Sequence, residues 1–134
     1  MNRTIPLLVL TAALSVAAGC NRAESPNKVA NDVADARQDA AQENAETSRD
    51  ASEKIAEAAR DDGPNSGEAT RATAEGQKDI TVAEAEGRHK IAIEGCEALT
   101  GSAQKACKDK ADAELDAAKA DAKLTAAATK DRTR

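Results

Sequence analysis

The side chains best suited to covalent or acid–base chemistry are three cysteines, Cys20, Cys96 and Cys107, and a single histidine, His89. No motif places a serine or cysteine nucleophile beside the histidine. Two cysteines and a distant histidine also fall short of the four closely spaced ligands of a structural zinc site. We therefore predict no catalytic residue, no metal site and no cofactor, and we look for the chemistry of the cysteines in the segments around them.

Cys20 closes an N-terminal segment that differs sharply from the rest of the chain. Arg3 is the only charged residue before it, an apolar run follows over residues 5–16, and Ala17-Ala18-Gly19 leads into the cysteine. The order of basic, apolar and small residues is that of a secretory signal. The apolar run is shorter than the roughly 20 residues that a membrane-spanning helix needs.

Ala17-Ala18-Gly19-Cys20 resembles the lipobox of bacterial lipoproteins, with Ala17 where that family prefers leucine. The resemblance implies a signal peptide over residues 1–19, cleavage before Cys20, and acylation of its thiol. Residues 20–28 would then form a lipidated tether that joins the chain to a membrane. By similarity to enterobacterial sorting, Asn21 favours the outer membrane, facing the periplasm. The alternative is an ordinary secretory signal that happens to end beside a cysteine.

Cys96 and Cys107 are eleven residues apart, with Gly101 almost midway between them. On one unbroken helix they would be separated by about 16.5 Å of rise, whereas the Cα atoms of a disulfide lie about 4.4–6.8 Å apart. A fold-back at Gly101 would bring the two thiols together, and an exported protein is in an oxidising compartment. We predict a Cys96–Cys107 disulfide within a helical hairpin. The alternative is that both are unrelated small core residues.

Residues 83–123 contain both cysteines, the Leu99-Thr100-Gly101 corner and an Ala/Asp/Lys-rich continuation. This segment is similar to a group of small alanine-rich exported lipoproteins of proteobacteria that share a Cys-x10-Cys helical hairpin. The resemblance implies an envelope location and no assigned activity.

The composition limits what the mature chain can do. Residues 20–134 carry a net charge of −6, because removal of Arg3 changes the whole-chain value of −5, and they contain 29 alanines and no aromatic residue. Ten large aliphatic side chains, each contributing about 1.5–3 kcal/mol when buried, cannot build a globular core. We therefore predict neither an enzyme nor a small-molecule pocket, and the acidic balance argues against binding nucleic acid.

Ser25-Pro26 is typical of a helix start, with serine as the cap and proline at the first helical position. Residues 29–61 form three copies of an eleven-residue repeat, and we predict a long helix over 29–62. Eleven residues make three helical turns of 3.67 residues, which keeps one face in register. The first, fifth and eighth positions of the copies form a narrow, mostly apolar stripe, beside an acidic one. The stripe residues are Val29, Val33, Ala36, Ala40, Asn44, Thr47, Ala51, Ile55 and Ala58.

Gly63-Pro64 ends this helix, and we predict a linker over residues 63–78. A helical hairpin follows over 79–128, with Gly101 as C-cap and Ser102 as the next N-cap, and residues 129–134 form a disordered tail. Its first helix carries a stripe of Val82, Ala85, His89, Ala92, Cys96 and Leu99, and its second carries Ala103, Cys107, Ala111, Leu115, Ala118 and Ala122. The predicted fold is all-α: a long, extended amphipathic helix and then a hairpin, with partly disordered linkers.

Two functions fit these features. The first is a lipid-anchored spacer or interaction rod of the cell envelope, which meets a protein partner or a second copy through a helix stripe. It is similar to the murein lipoprotein, except that this chain lacks the C-terminal lysine that joins that family to the cell wall. The second is a stress or desiccation protectant, because the eleven-residue Ala/Glu/Lys repeats resemble those of late-embryogenesis-abundant proteins.

Overall fold

A computed structural model describes residues 22–132, and this part of the chain is built from three α-helices without a strand. Helix α1 is Pro26–Asp62, α2 is Gly67–Cys96 and α3 is Gly101–Asp131, joined by two four-residue turns. The predicted all-α class is confirmed. The signal peptide and Cys20 lie outside the described residues.

Helix α1 begins where the sequence predicts a helix cap. The Ser25 side chain accepts a hydrogen bond from the Lys28 backbone N–H at 3.3 Å, and Pro26 occupies the first helical position, where its missing N–H costs nothing. The segment before α1 is therefore shorter than the predicted tether of residues 20–28. At the other end, Gly63 stops the helix with φ +90°, a conformation that glycine adopts without steric cost.

The predicted linker over residues 63–78 is wrong from residue 67 onward. Ser66 caps α2 by accepting a hydrogen bond from the Ala69 N–H at 3.0 Å, and Glu68 lies in the first turn, where it favours a helix N-terminus. Gly76 lies inside the helix. A Cβ atom built on it would come within 3.1 Å of the Ala51 Cβ, so the glycine allows the backbone of α2 to approach α1.

The stripe predicted for α1 is the face that packs on α2. Ala40 and Ala51 are the buried residues of α1, with 5% and 3% of their surface exposed, and the other seven members of the stripe are half-buried. Ala51 faces Gly76, and Ala40 faces Gly87, where an added Cβ would lie 2.8 Å from that of Ala40. Both the alanines and the glycines are eleven residues apart, so the repeat of α1 is matched by glycine spacing in α2.

The predicted stripes of the hairpin face each other over most of their length. Ala85, Cys96, Ala111 and Ala122 are buried, whereas Leu99 and Ala103 are exposed. The break between the helices comes earlier than predicted, over residues 97–100. Thr100 is the N-cap of α3 in place of Ser102, and Gly101 opens that helix with φ +58°. Helix α3 extends to Asp131, so the predicted disordered tail is helical over residues 129–131, and its last two residues lie outside the described part of the chain.

Helix α2 is central: it packs against α1 and against α3, and in the described residues α1 and α3 do not pack on each other. At about 100° per residue, Cys96 lies about 200° around the α2 axis from Gly76. Helices α1 and α3 therefore pack on opposite sides of α2. The end with Ser25 and residues 97–100 is called the proximal end. The end with residues 63–66 and Asp131 is called the distal end. The 37 residues of α1 span about 55 Å between them.

Candidate functional site: the disulfide corner and the distal groove

The turn at the proximal end brings the two later cysteines together. The sulfur atoms of Cys96 and Cys107 lie at bonding distance, and their Cα atoms are 5.7 Å apart, within the range that a disulfide requires. Cys96 is completely buried and Cys107 is half-buried. The fold-back that the sequence predicts near Gly101 is therefore present, and it makes the predicted pairing possible without any backbone movement.

Glu97, next to the disulfide, joins three parts of the chain. Its carboxylate accepts hydrogen bonds from the Gln104 amide at 2.7 Å and pairs with the Lys108 ammonium at 2.5 Å, both on α3. Its backbone carbonyl accepts a hydrogen bond from the Glu24 N–H at 2.9 Å. The segment that precedes α1 is thus held against the α2–α3 turn, which we call the disulfide corner (residues 96–107).

The Glu97–Lys108 pair is the first of three equivalent ion pairs between α2 and α3. Glu86 pairs with Lys119 at 2.8 Å and Glu75 with Lys130 at 2.5 Å, so the acids recur every eleven residues and so do the lysines. In the sequence the eleven-residue repeat is evident only in residues 29–61. The regular spacing of these glutamates and lysines was a signal that the repeat continues, in a different register, through α2 and α3.

His89 pairs with Asp112 on α3, with 2.7 Å between Nε2 and Oδ1. The histidine is half-buried, and the carboxylate is mostly exposed. Its place on the predicted stripe is confirmed, since it lies at the α2–α3 contact. The His89–Asp112 pair is therefore another polar contact between α2 and α3.

Ion pairs also shift the pKa of three exposed groups. The hydrogen bond from the Lys130 ammonium lowers the pKa of Glu75 below its ordinary value of 4.5. The Glu43 carboxylate raises the pKa of Lys90 across the α1–α2 contact, and Asp32, with Glu24, raises that of Lys28. Because all these side chains reach solvent, each pair contributes little to stability.

At the distal end, α2 and α3 leave a groove of about 470 Å³ between them, which we call the distal groove. The hydroxyl groups of Thr70, Thr73, Thr81 and Thr129 each donate a hydrogen bond to the backbone carbonyl four residues earlier in the chain. With these hydroxyls occupied, the walls offer mainly methyl groups. The lining residues are Pro64, Ala69, Thr70, Thr73, Ala74, Gln77, Lys78, Thr81, Asp121, Ala122, Thr125, Ala126 and Thr129.

A second groove of similar volume lies between the distal parts of α1 and α2 and is rich in carboxylates. Its acids include Glu57, Asp61 and Glu68, with Lys54 and Arg71 among them. Within residues 22–132, no group of three or more histidine, cysteine or acidic side chains has the arrangement of a metal site. None of the described helices combines the length and the apolar character that crossing a bilayer demands.

Comparisons with protein families, with curated proteins and with solved structures found no match to this chain.

Proposed function

We propose that this chain is a non-enzymatic, lipid-anchored protein of the bacterial cell envelope that acts as a helical spacer or interaction rod. In this proposal the mature chain begins at Cys20 and is held to the membrane by lipid on that thiol. The outer membrane, on its periplasmic side, is the proposed location. A protein partner or a second copy would meet the rod along an exposed helix face, such as that of Leu124 on α3.

The observation that carries the proposal is the Ala17-Ala18-Gly19-Cys20 sequence at the end of a basic and apolar leader. The attached acyl chains would supply the anchor, since each buried methylene contributes about 0.8 kcal/mol to membrane binding. The helical part suits a spacer, because its N-terminus lies at one end of a helix about 55 Å long. The composition, without aromatic residues and with few large aliphatic ones, supports a non-enzymatic role.

Specific packing supports the rod over the desiccation protectant. A protectant that is unstructured in water needs no match between helices, whereas here Ala40 and Ala51 are buried against glycines at the same eleven-residue spacing. Circular dichroism in dilute buffer separates the two functions. The rod should be strongly helical and melt cooperatively, and a chain that becomes helical only on drying or on adding lipid would favour the protectant.

Labelled-lipid incorporation followed by membrane fractionation tests the anchor. Wild-type protein should take up radiolabelled palmitate in bacterial cells and sediment with the membranes. The Cys20→Ala variant should do neither, while the matched Cys107→Ala variant should remain labelled and membrane-bound. Equal partitioning of wild type and Cys20→Ala, with no label on either, would refute the proposed function.

A further inference from the structure

The N-terminal segment is bonded to the disulfide corner, and this bond determines which end of the rod lies near a membrane. The Glu24 N–H is bonded to the Glu97 carbonyl at 2.9 Å, so residue 24 is fixed at the proximal end. Cys20 precedes Glu24 by four residues, and four extended residues span at most about 14 Å. Any lipid carried by Cys20 is therefore confined to the neighbourhood of the disulfide corner.

The surface that this confinement brings to the bilayer contains Leu99. Leu99 is 40% exposed, in a turn whose neighbours Ala98 and Thr100 are exposed as well. A single exposed leucine is ordinary on a protein surface, so its exposure alone says nothing. What gives it meaning is its place two residues after Glu97, on the turn to which the N-terminal segment is bonded.

The lysines beside the turn do not select an anionic surface. The Lys108 ammonium is paired with Glu97, and the exposed Lys105 ammonium is paired with Asp109 at 2.6 Å. The side chain that suits a lipid surface is therefore the apolar Leu99, and a zwitterionic bilayer is a sufficient partner for it.

We infer that the Leu99 turn (residues 97–100) rests in the interface of the bilayer, so that the rod stands on its disulfide end and holds the distal groove away from the membrane. The inference rests on the proposed lipid anchor and adds to it an orientation and a contact. In this orientation the turn contacts lipid and the distal part of α3 lies in the aqueous phase.

The absence of tryptophan from the whole chain provides a direct test, because one introduced tryptophan is the only indole in the molecule. The Leu99→Trp variant and the matched Leu124→Trp variant are purified in acylated form and placed in phosphatidylcholine vesicles with brominated acyl chains. Leu124 is 68% exposed and lies 23 residues beyond Gly101, about 35 Å along α3. Both changes replace an exposed leucine, so both variants should fold.

We expect the emission of Leu99→Trp to shift to the blue and to be quenched severalfold more strongly than that of Leu124→Trp. The same Leu99→Trp change in Cys20→Ala protein should remain unquenched. Equal quenching of the two tryptophans would show that the rod lies flat, and a blue shift without quenching would show that protein covers Leu99; either result overturns the inference. An intact mass without acyl chains would instead refute the proposed anchor, which keeps the two failures distinct.

Discussion

The two helix contacts of this protein are built from different chemistry. Between α1 and α2 the backbones approach closely, since a Cβ on Gly87 would come within 2.8 Å of Ala40. Between α2 and α3 the helices share a disulfide at one end, three Glu–Lys pairs along their length and an open groove at the other end. We infer that close packing stabilises the first contact and that a covalent bond substitutes for it in the second.

These two contacts show how an alanine-rich chain folds without a large core. Each alanine buries little area, so stability depends on how close two helices come and on how much disorder the unfolded chain retains. Glycines eleven residues apart in α2 allow it to approach α1 closely. The disulfide lowers the conformational entropy of the unfolded chain.

The largest expected effect is that of removing the disulfide. Replacing both Cys96 and Cys107 by alanine should lower the free energy of unfolding by about 3 kcal/mol, the chain-entropy value for a loop of this length. Hydrogen exchange should accelerate mainly in α3, because α1 and α2 keep their own contact. Denaturant unfolding followed by circular dichroism measures the loss, and an unchanged midpoint after reduction of the wild-type protein would contradict it.

The next largest effect is expected at the close α1–α2 contact. Gly87→Ala should overpack against Ala40 and cost about 1–3 kcal/mol relative to Gly95→Ala, whose added Cβ meets nothing within 4 Å. Gly87 lies mid-helix and gains at least as much helix propensity as Gly95 in the last turn, so a lower unfolding free energy of Gly87→Ala reports the contact with Ala40.

A double-mutant cycle with Ala40→Gly should recover most of that difference, since it removes the methyl group that Gly87→Ala meets. Additive effects of the two substitutions would mean that α1 and α2 do not approach each other at this point.

A smaller effect of opposite sign is expected from Gly95→Ala by itself. Gly95 is the penultimate residue of α2, and a Cβ added to it meets nothing within 4 Å, so alanine should stabilise the last turn by up to about 0.5–1 kcal/mol through reduced chain entropy. Thermal unfolding at one scan rate measures the gain. A loss of stability would show that some contact excludes a side chain at residue 95.

The smallest effect concerns the ion pairs of the second contact. Lys130 lowers the pKa of Glu75 from 4.5, so the folded protein holds this carboxylate charged more readily than the unfolded chain does. Its stabilising contribution is therefore complete above the unfolded pKa of 4.5 and is lost as the pH falls through the lower folded value. Since about half of the side chain is exposed, Glu75→Gln should cost only a few tenths of a kcal/mol at neutral pH.

Urea unfolding at about pH 7 and about pH 2.5 tests the sign of this linkage. The wild type and Glu75→Gln should differ at the higher pH and coincide at the lower. A difference that persists in acid would assign the loss to packing and not to charge.

Local signals in the sequence were sufficient for one part of the fold. Ser25-Pro26 predicted the start of α1, and the repeat in residues 29–61 predicted its packed face, because caps and periodicity are properties of the local chain. The same local reasoning misjudged residues 67–78. That segment has a glycine and few apolar side chains, and the reason for Gly76 is its contact with Ala51 on another helix.

The candidate site was predictable to a similar degree. The meeting of Cys96 and Cys107 followed from their spacing around Gly101, since a fold-back between two helices leaves few alternatives. The bond between Glu24 and Glu97 and the distal groove depend on how distant segments pack. No pattern within either segment encodes them, so only the three-dimensional structure reveals them.

The intact mass of the native protein tests acylation of Cys20 and the Cys96–Cys107 disulfide together. The protein is extracted from bacterial envelopes, treated with an alkylating reagent and measured without reduction. We expect a chain that begins at Cys20, carries acyl chains there, and has no alkyl group on Cys96 or Cys107. A chain that retains residues 1–19, or one cut before Cys20 with an alkylated thiol at that residue, would contradict it.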